Sequence, residues 1–168
     1  IGISDADYEA HFYLANSLEE QKKRDAAVKE LKKVLDLKPD YHQALNYLGY
    51  LYVEENKNLE EAEKLIKKAL AIEPENGAYI DSLGWLYFKQ GKAKDAAKEL
   101  EKAAILLEDP VIFDHLGDVY FKIQDFAGAR GNWEKSLKLD PNQDEVKKKI
   151  EALKESIKKN IARDSTEG

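Results

Sequence analysis

A Leu-Gly pair recurs along this chain at Leu48-Gly49, Leu83-Gly84 and Leu116-Gly117, with the glycines 35 and then 33 residues apart, and Leu14-Ala15 fills the same place earlier. A fixed spacing of this size decides the fold class before any residue-level argument, because it marks one supersecondary unit copied in tandem. Three residues after each pair stand Leu18, Tyr52, Tyr87 and Tyr120, one helical turn further along the same face. Each pair therefore sits on a helix. A second helix follows, with Ala27, Ala62, Ala96 and Ala129, then Leu31, Ile66, Leu100 and Trp133 four residues on, and Val34, Ala69, Ala103 and Ser136 three beyond those. Spacing of i, i+4, i+7 is the apolar stripe of an amphipathic helix, and its small members allow close approach to a neighbour. Each unit is expected to close on Pro39, Pro74, Pro110 or Pro141, since proline cannot continue a helix and forces the residue before it out of the helical region.

This pattern resembles the tetratricopeptide repeat, with its Leu-Gly pair, following Tyr, Ala, large residue and closing Pro over about 34 residues. The string LGWLYFKQGKAKDAAKELEKA from Leu83 to Ala103 lies close to the family consensus throughout. Departures are Ala15 in place of Gly, one extra residue in the turn near Asn58, and a late Pro110. The resemblance implies an all-α, right-handed superhelical solenoid of antiparallel helix pairs, with about nine helices. The expected organisation is a lead-in over 1–7, repeats over 8–40, 41–75, 76–109 and 110–141, a capping helix over 142–160 and a flexible tail over 161–168. Val146, Ile150, Leu153 and Ile157 give the cap its apolar side, with Lys147, Lys148, Lys149, Lys154, Lys158 and Lys159 expected mostly on the other.

In this family the first helix of each pair lines the concave side. The Leu, Gly and Tyr positions being committed to packing, the groove is expected to present Phe12, Asn16 and Glu19; Asn46, Tyr50 and Val53; Asp81, Trp85 and Phe88; and Asp114, Asp118 and Phe121, with Lys89 and Lys122 near its edge. His115 stands beside Asp114 and Asp118 as a hydrated part of the wall. Acids among aromatics suit a protein or peptide partner with basic and apolar side chains. The carboxylate clamp by which one subtype holds chaperone tails is absent, its places carrying Phe12, Asn16, Asn46, Tyr47, Ala78, Ser82, Val111 and His115.

Charge and composition narrow the function further. A net charge of -6 offers no clustered basic surface for nucleic acid. The absence of cysteine excludes disulfides and thiolate metal sites. No apolar run reaches the roughly 18 residues a membrane span needs. Asp114, His115 and Asp118 share one helical turn, but two ligands from one helix do not make a transition-metal site. No nucleophilic triad, zinc-binding pair or phosphate-cradling loop is present, so neither catalysis nor a cofactor is expected. The runs at Lys22 and Glu54 read as solvated faces, and Gly128 and Gly131 as a tight helix contact. The expectation is a non-catalytic scaffold that holds a partner in its groove, the alternatives being a regulatory or assembly segment of a larger enzyme or envelope machine, and self-association through an open N-terminal face. Ile1 in place of Met reads as a processed protein or an excised fragment, and likeness to bacterial repeat proteins points to the periplasm or cell envelope, with the cytoplasm as alternative.

Overall fold

The protein is seen in a computed structural model that describes residues 5–164, and side chains over 7–159. Among the described residues the chain forms nine α-helices and no strand: α1 (Asp5–Glu20), α2 (Arg24–Leu37), α3 (His42–Glu54), α4 (Leu59–Ile72), α5 (Gly77–Lys89), α6 (Ala93–Leu106), α7 (Pro110–Lys122), α8 (Phe126–Leu139) and α9 (Asp144–Asp164). Residues 1–4 of the expected lead-in and 165–168 of the expected tail lie outside the described residues.

Helices pair in sequence order, α1 with α2 through α7 with α8, and the stripe read from spacing is the contact between them. Ala27, Leu31, Val34, Ala62, Ile66, Ala69, Ala96, Leu100, Ala103, Ala129, Trp133 and Ser136 are all buried. The glycine of each pair faces the large residue of that stripe. A Cβ on Gly49 would lie 2.7 Å from Ile66 Cγ1, one on Gly84 2.7 Å from Leu100 Cγ, and one on Gly117 would overlap the Trp133 indole outright. Small against large is how a close-packed interior fills without voids. Ser136, standing where the other units have Val or Ala, keeps its burial tolerable by donating to the Pro110 carbonyl at 2.7 Å and accepting from Gln143 Nε2 at 3.0 Å.

The four turns inside the pairs are copies of one motif. Lys22, Asn56, Gly91 and Gln124 adopt left-handed φ values of 60°, 53°, 78° and 67°. In each turn the next amide bonds back to the carbonyl of the residue three past the Leu-Gly pair: Lys23 to Leu18, Lys57 to Tyr52, Lys92 to Tyr87 and Asp125 to Tyr120, at 2.8–3.0 Å. This is the Schellman closure, which satisfies orphan carbonyls at a helix end. Only Gly91 has the residue type that adopts such a φ freely. Asn58, also left-handed at φ 49°, accommodates the extra residue of the α3–α4 turn.

Two expectations need correction. Pro110 opens a helix rather than closing a repeat: it occupies the first turn of α7, where its missing N–H costs nothing, behind Asp109, which accepts from the Val111 amide at 2.8 Å. Gly128 and Gly131 are not alike. A Cβ on Gly128 would meet Asp125 Oδ2 at 2.7 Å and Tyr120 Cδ1 at 3.2 Å, whereas around Gly131 there is open space. The cap also departs in detail, since Val146, Ile150 and Leu153 are buried but Ile157 is 40% exposed.

Opposite signs follow for two glycine-to-alanine changes in neighbouring helices. Gly117→Ala must displace the Trp133 ring and is expected to cost about 1–3 kcal/mol. Gly131→Ala meets nothing and is expected to gain about 0.5–1 kcal/mol from helix propensity. Urea denaturation of the two variants measures both.

Candidate functional site

The first helices α1, α3, α5 and α7 lie on one face of the stack, with α3 touching α5 and α5 touching α7. Their uncommitted positions fall in two registers, two residues before the Leu of each pair and one after its second member. The first register holds Phe12, Asn46, Asp81 and Asp114; the second holds Asn16, Tyr50, Trp85 and Asp118. All eight belong to the groove expected from the sequence, and the structure gives them sharply different surroundings.

At the N-terminal end Phe12 is half-buried and packs edge-on against Tyr41 and Tyr47, at ring distances of 5.2 and 6.3 Å. Asn16 is half-buried beside it in sequence. In the middle, Trp85 is only 6% exposed. Its ring lies between Phe88, stacked at 4.8 Å, and His115, stacked at 4.0 Å, with the Lys89 ammonium 4.6 Å from its centroid. The indole N–H donates to Glu54 Oε1 at 2.7 Å. His115 Nδ1 is 2.9 Å from Asp81 Oδ1, and both residues are 6% exposed. The expectation of a hydrated wall at His115 is therefore corrected: the ring is sealed beneath Trp85, and Asp81 is its internal partner.

At the C-terminal end a single ammonium from the cap takes two carboxylates. Lys149 Nζ lies 2.7 Å from Asp114 Oδ1 and 2.8 Å from Asp118 Oδ1, and Asp118 Oδ1 also accepts from the Trp133 indole at 3.1 Å. Lys149 does not lie on the outer side of α9 as expected. It stands three residues after Val146 and four before Leu153, which places it on the flank of the buried stripe. Burial alone would lower the Lys149 pKa, and its bonds to Asp114 and Asp118 raise it above the ordinary lysine value. Burial first, and then the like charge of Asp118, hold the Asp114 carboxyl above its usual range in spite of Lys149. Two acids sharing one cation leave this end negative. Phe121 is 47% exposed, tilted against Phe126 and Trp133.

Asn46 and Tyr50 differ from the other polar members. The Asn46 Oδ1 atom is buried and has no hydrogen-bond partner. Burial, then the charges of Glu54, Asp81 and Asp109, push the Tyr50 phenol well above its ordinary pKa, and Arg24 offsets this in part. Both residues line a cleft of about 270 Å³ that runs between α3 and α5 to the segment entering α7.

Glu54 and Lys149 are the members that sequence reasoning missed. A register argument finds Glu54, which stands five residues after Gly49 as Lys89 stands five after Gly84. The pairs also keep to two separations, one repeat (34 for Asp81–His115, 35 for Asp114–Lys149) and one repeat less a turn (31 for both Glu54–Trp85 and Asp118–Lys149). Among the described residues no group of three or more His, Asp or Glu converges to hold a metal ion, and no helix is long and apolar enough to cross a membrane.

Residues 12–77 match the family model of the tetratricopeptide repeat. No curated protein sequence matches the chain significantly. Among solved structures, the chain is similar to pilF of Pseudomonas aeruginosa, with a TM-score of 0.74 and 24% identity over 94% of this chain and 72% of that one. It is similar to a thermophilic TPR protein of Thermus thermophilus, with a TM-score of 0.61 and 17% identity over 87% and 98% of the two chains. The Sgt2 TPR domain of Aspergillus fumigatus gives a TM-score of 0.65 and 24% identity over 72% and 82%. At these identities the likeness is one of fold.

The buried His115 makes stability depend on pH. Burial alone would lower its pKa, but the charge and hydrogen bond of Asp81, with Asp114 and Glu54 adding, raise it above the ordinary value of 6.5. A raised folded-state value means the protonated ring stabilises the fold fully below pH 6.5 and loses this contribution as pH rises through the higher folded value. His115→Gln leaves the buried Asp81 charge uncompensated, a change that typically costs about 3–5 kcal/mol. The melting-temperature gap between parent and variant is expected to be widest below pH 6.5 and to narrow above it in a pH series of thermal melts.

Proposed function

We infer that this chain, a tetratricopeptide-repeat protein, works as a binding scaffold without chemistry of its own, holding a peptide or helix of a partner protein along its first-helix face. Repeats of this family mediate protein–protein association, and the curvature of such solenoids makes the first-helix side the concave one. The observation that carries the reading is the composition of this face: aromatic rings at Phe12, Tyr50, Phe88 and Phe121 that retain some exposure, among the acids Glu54, Asp81, Asp114 and Asp118. A partner with apolar anchors and Lys or Arg side chains is complementary to it. Charge of this kind steers encounter and discriminates against acidic partners, while buried anchors hold the complex.

Selection from a random peptide library on the immobilised protein tests this. Enriched sequences are expected to combine aliphatic or aromatic residues with Lys or Arg, and their binding to weaken as salt is raised. Asn16→Lys combined with Tyr50→Lys is expected to weaken the enriched peptides at least about tenfold, or roughly 1.4 kcal/mol, whereas Lys68→Glu on exposed α4 leaves them unchanged. Enrichment of acidic sequences, or binding indifferent to the double variant, would show that the partner docks elsewhere.

A further inference from the structure

We propose that the cleft between the C-terminal end of α6 and the turn from α4 into α5 is a second docking site, which takes a partner segment carrying an apolar side chain between a basic and an acidic one. The site belongs to the second helices and does not depend on the first-helix face inferred above.

The cleft encloses about 680 Å³. One wall is the end of α6, where Lys102, Ile105 and Leu106 stand at i, i+3 and i+4 on one face. The other is the turn formed by Glu73, Pro74, Glu75 and Asn76. The next repeat has a corresponding cleft at the end of α8, with Lys135 for Lys102, Lys138 for Ile105 and Leu139 for Leu106, each 33 residues on. There Lys135 reaches Glu108 at 3.5 Å, so the charges are spent on each other. In the α4–α6 cleft Lys102 and Glu75 have no bonding partner among the described residues, while Glu73 accepts from Asn76 Nδ2 at 2.7 Å. Ile105 is also out of pattern, being 85% exposed. Matching places in α2, α4 and α8 carry Asp36, Ala71 and Lys138, so packing of the repeat does not call for a large aliphatic group there. With Pro74 and with Leu106, 44% exposed, it makes an apolar floor flanked by a free cation and a free carboxylate.

A single exposed apolar residue needs no explanation, but an apolar floor between two free charges of opposite sign specifies what covers it. An aliphatic or aromatic side chain laid on Ile105 and Leu106 takes water from the neighbouring charges as well, and each must then be met by its opposite. The occupant therefore brings Lys or Arg to Glu75, where Glu73 adds to the same field, and Asp or Glu to Lys102. Nucleic acid supplies no cation for Glu75 and is repelled by both glutamates. The pattern also differs from that of the first-helix face, whose acids suit a partner that is basic throughout, so the two sites select different sequences.

The test is selection from a random peptide library on the immobilised protein in the presence of excess soluble Ile105→Lys protein, which removes peptides that bind any other face. That variant places at 105 the residue type found at the matching place in α8, and it is expected to melt with the parent because the side chain it replaces is exposed. Enriched peptides are expected to set Leu, Ile, Phe or Trp between a basic and an acidic residue, and to bind Ile105→Lys at least about tenfold more weakly than the parent. Lys102→Glu is expected to weaken them to a similar degree, and exchanging the peptide's acid for Lys to restore binding to that variant alone. Absence of enrichment, or a loss in Lys102→Glu that the exchange does not rescue, would overturn the site. A dimer in sedimentation that Ile105→Lys dissociates would overturn it as well, by showing that a second copy covers the cleft. Peptides of the first-helix face are subtracted at the start, so none of these results decides whether that face binds.

Discussion

The architecture depends on one contact repeated down the stack, a residue without a side chain on the first helix set against a large one on the second. Gly49 on Ile66, Gly84 on Leu100 and Gly117 on Trp133 bring the paired helices closer than any Cβ would allow. Because this seam consumes the Leu, Gly and Tyr positions, it also fixes which residues of the first helix are left to point elsewhere. The functional face is thus a by-product of packing. The Schellman turns act in the same direction, since each bonds back to the residue one turn beyond the small one and so fixes where the second helix starts.

Between repeats the apolar core runs on from one unit to the next, and polar and aromatic struts across the face are added to it. Glu54 to Trp85 joins α3 and α5, Asp81 to His115 joins α5 and α7, and Asp114 and Asp118 to Lys149 join α7 and α9. A buried ion pair is weak evidence for net stability, because desolvation offsets most of its attraction. What it supplies is alignment: His115 under Trp85 with its partner on α5 has one good position, and that position sets how α7 lies against α5. Lys149 gives α9 the same constraint, so the cap is more than an apolar cover for Trp133 and Ala129.

The sequence was legible wherever a property repeats with the chain. Helix order, the buried stripe and the registers of the face all follow from counting, since 3.6 residues per turn and about 34 per repeat map directly onto neighbours. The partners of Asp81, Trp85 and Asp118 were not legible, because they depend on the axial offset between successive first helices. An offset of one turn decides whether Trp85 meets Glu54 or Tyr50, and periodicity within a helix carries no information about it. Lys149 was misplaced for a related reason: a lysine run reads as a solvated face, and only the exact angle of α9 shows that one of its members turns inward.

One register position shows where specificity is to be found. Phe12, Asn46, Asp81 and Asp114 are equivalents, and they meet four fates: an aromatic cluster, an unpartnered oxygen, an imidazole and an ammonium. Charge alone would single out the two aspartates as the places a basic partner reaches. Yet each already has a counter-charge within the chain, and a partner's cation gains only what is left after the internal bond is shared or broken. Asn46 Oδ1 is unlike either aspartate, being closed to water and without a hydrogen-bond partner inside the fold. Equivalent places in the repeat thus differ in how much of their polarity the fold has already used, and the bare charge of a residue does not measure what it can offer a partner.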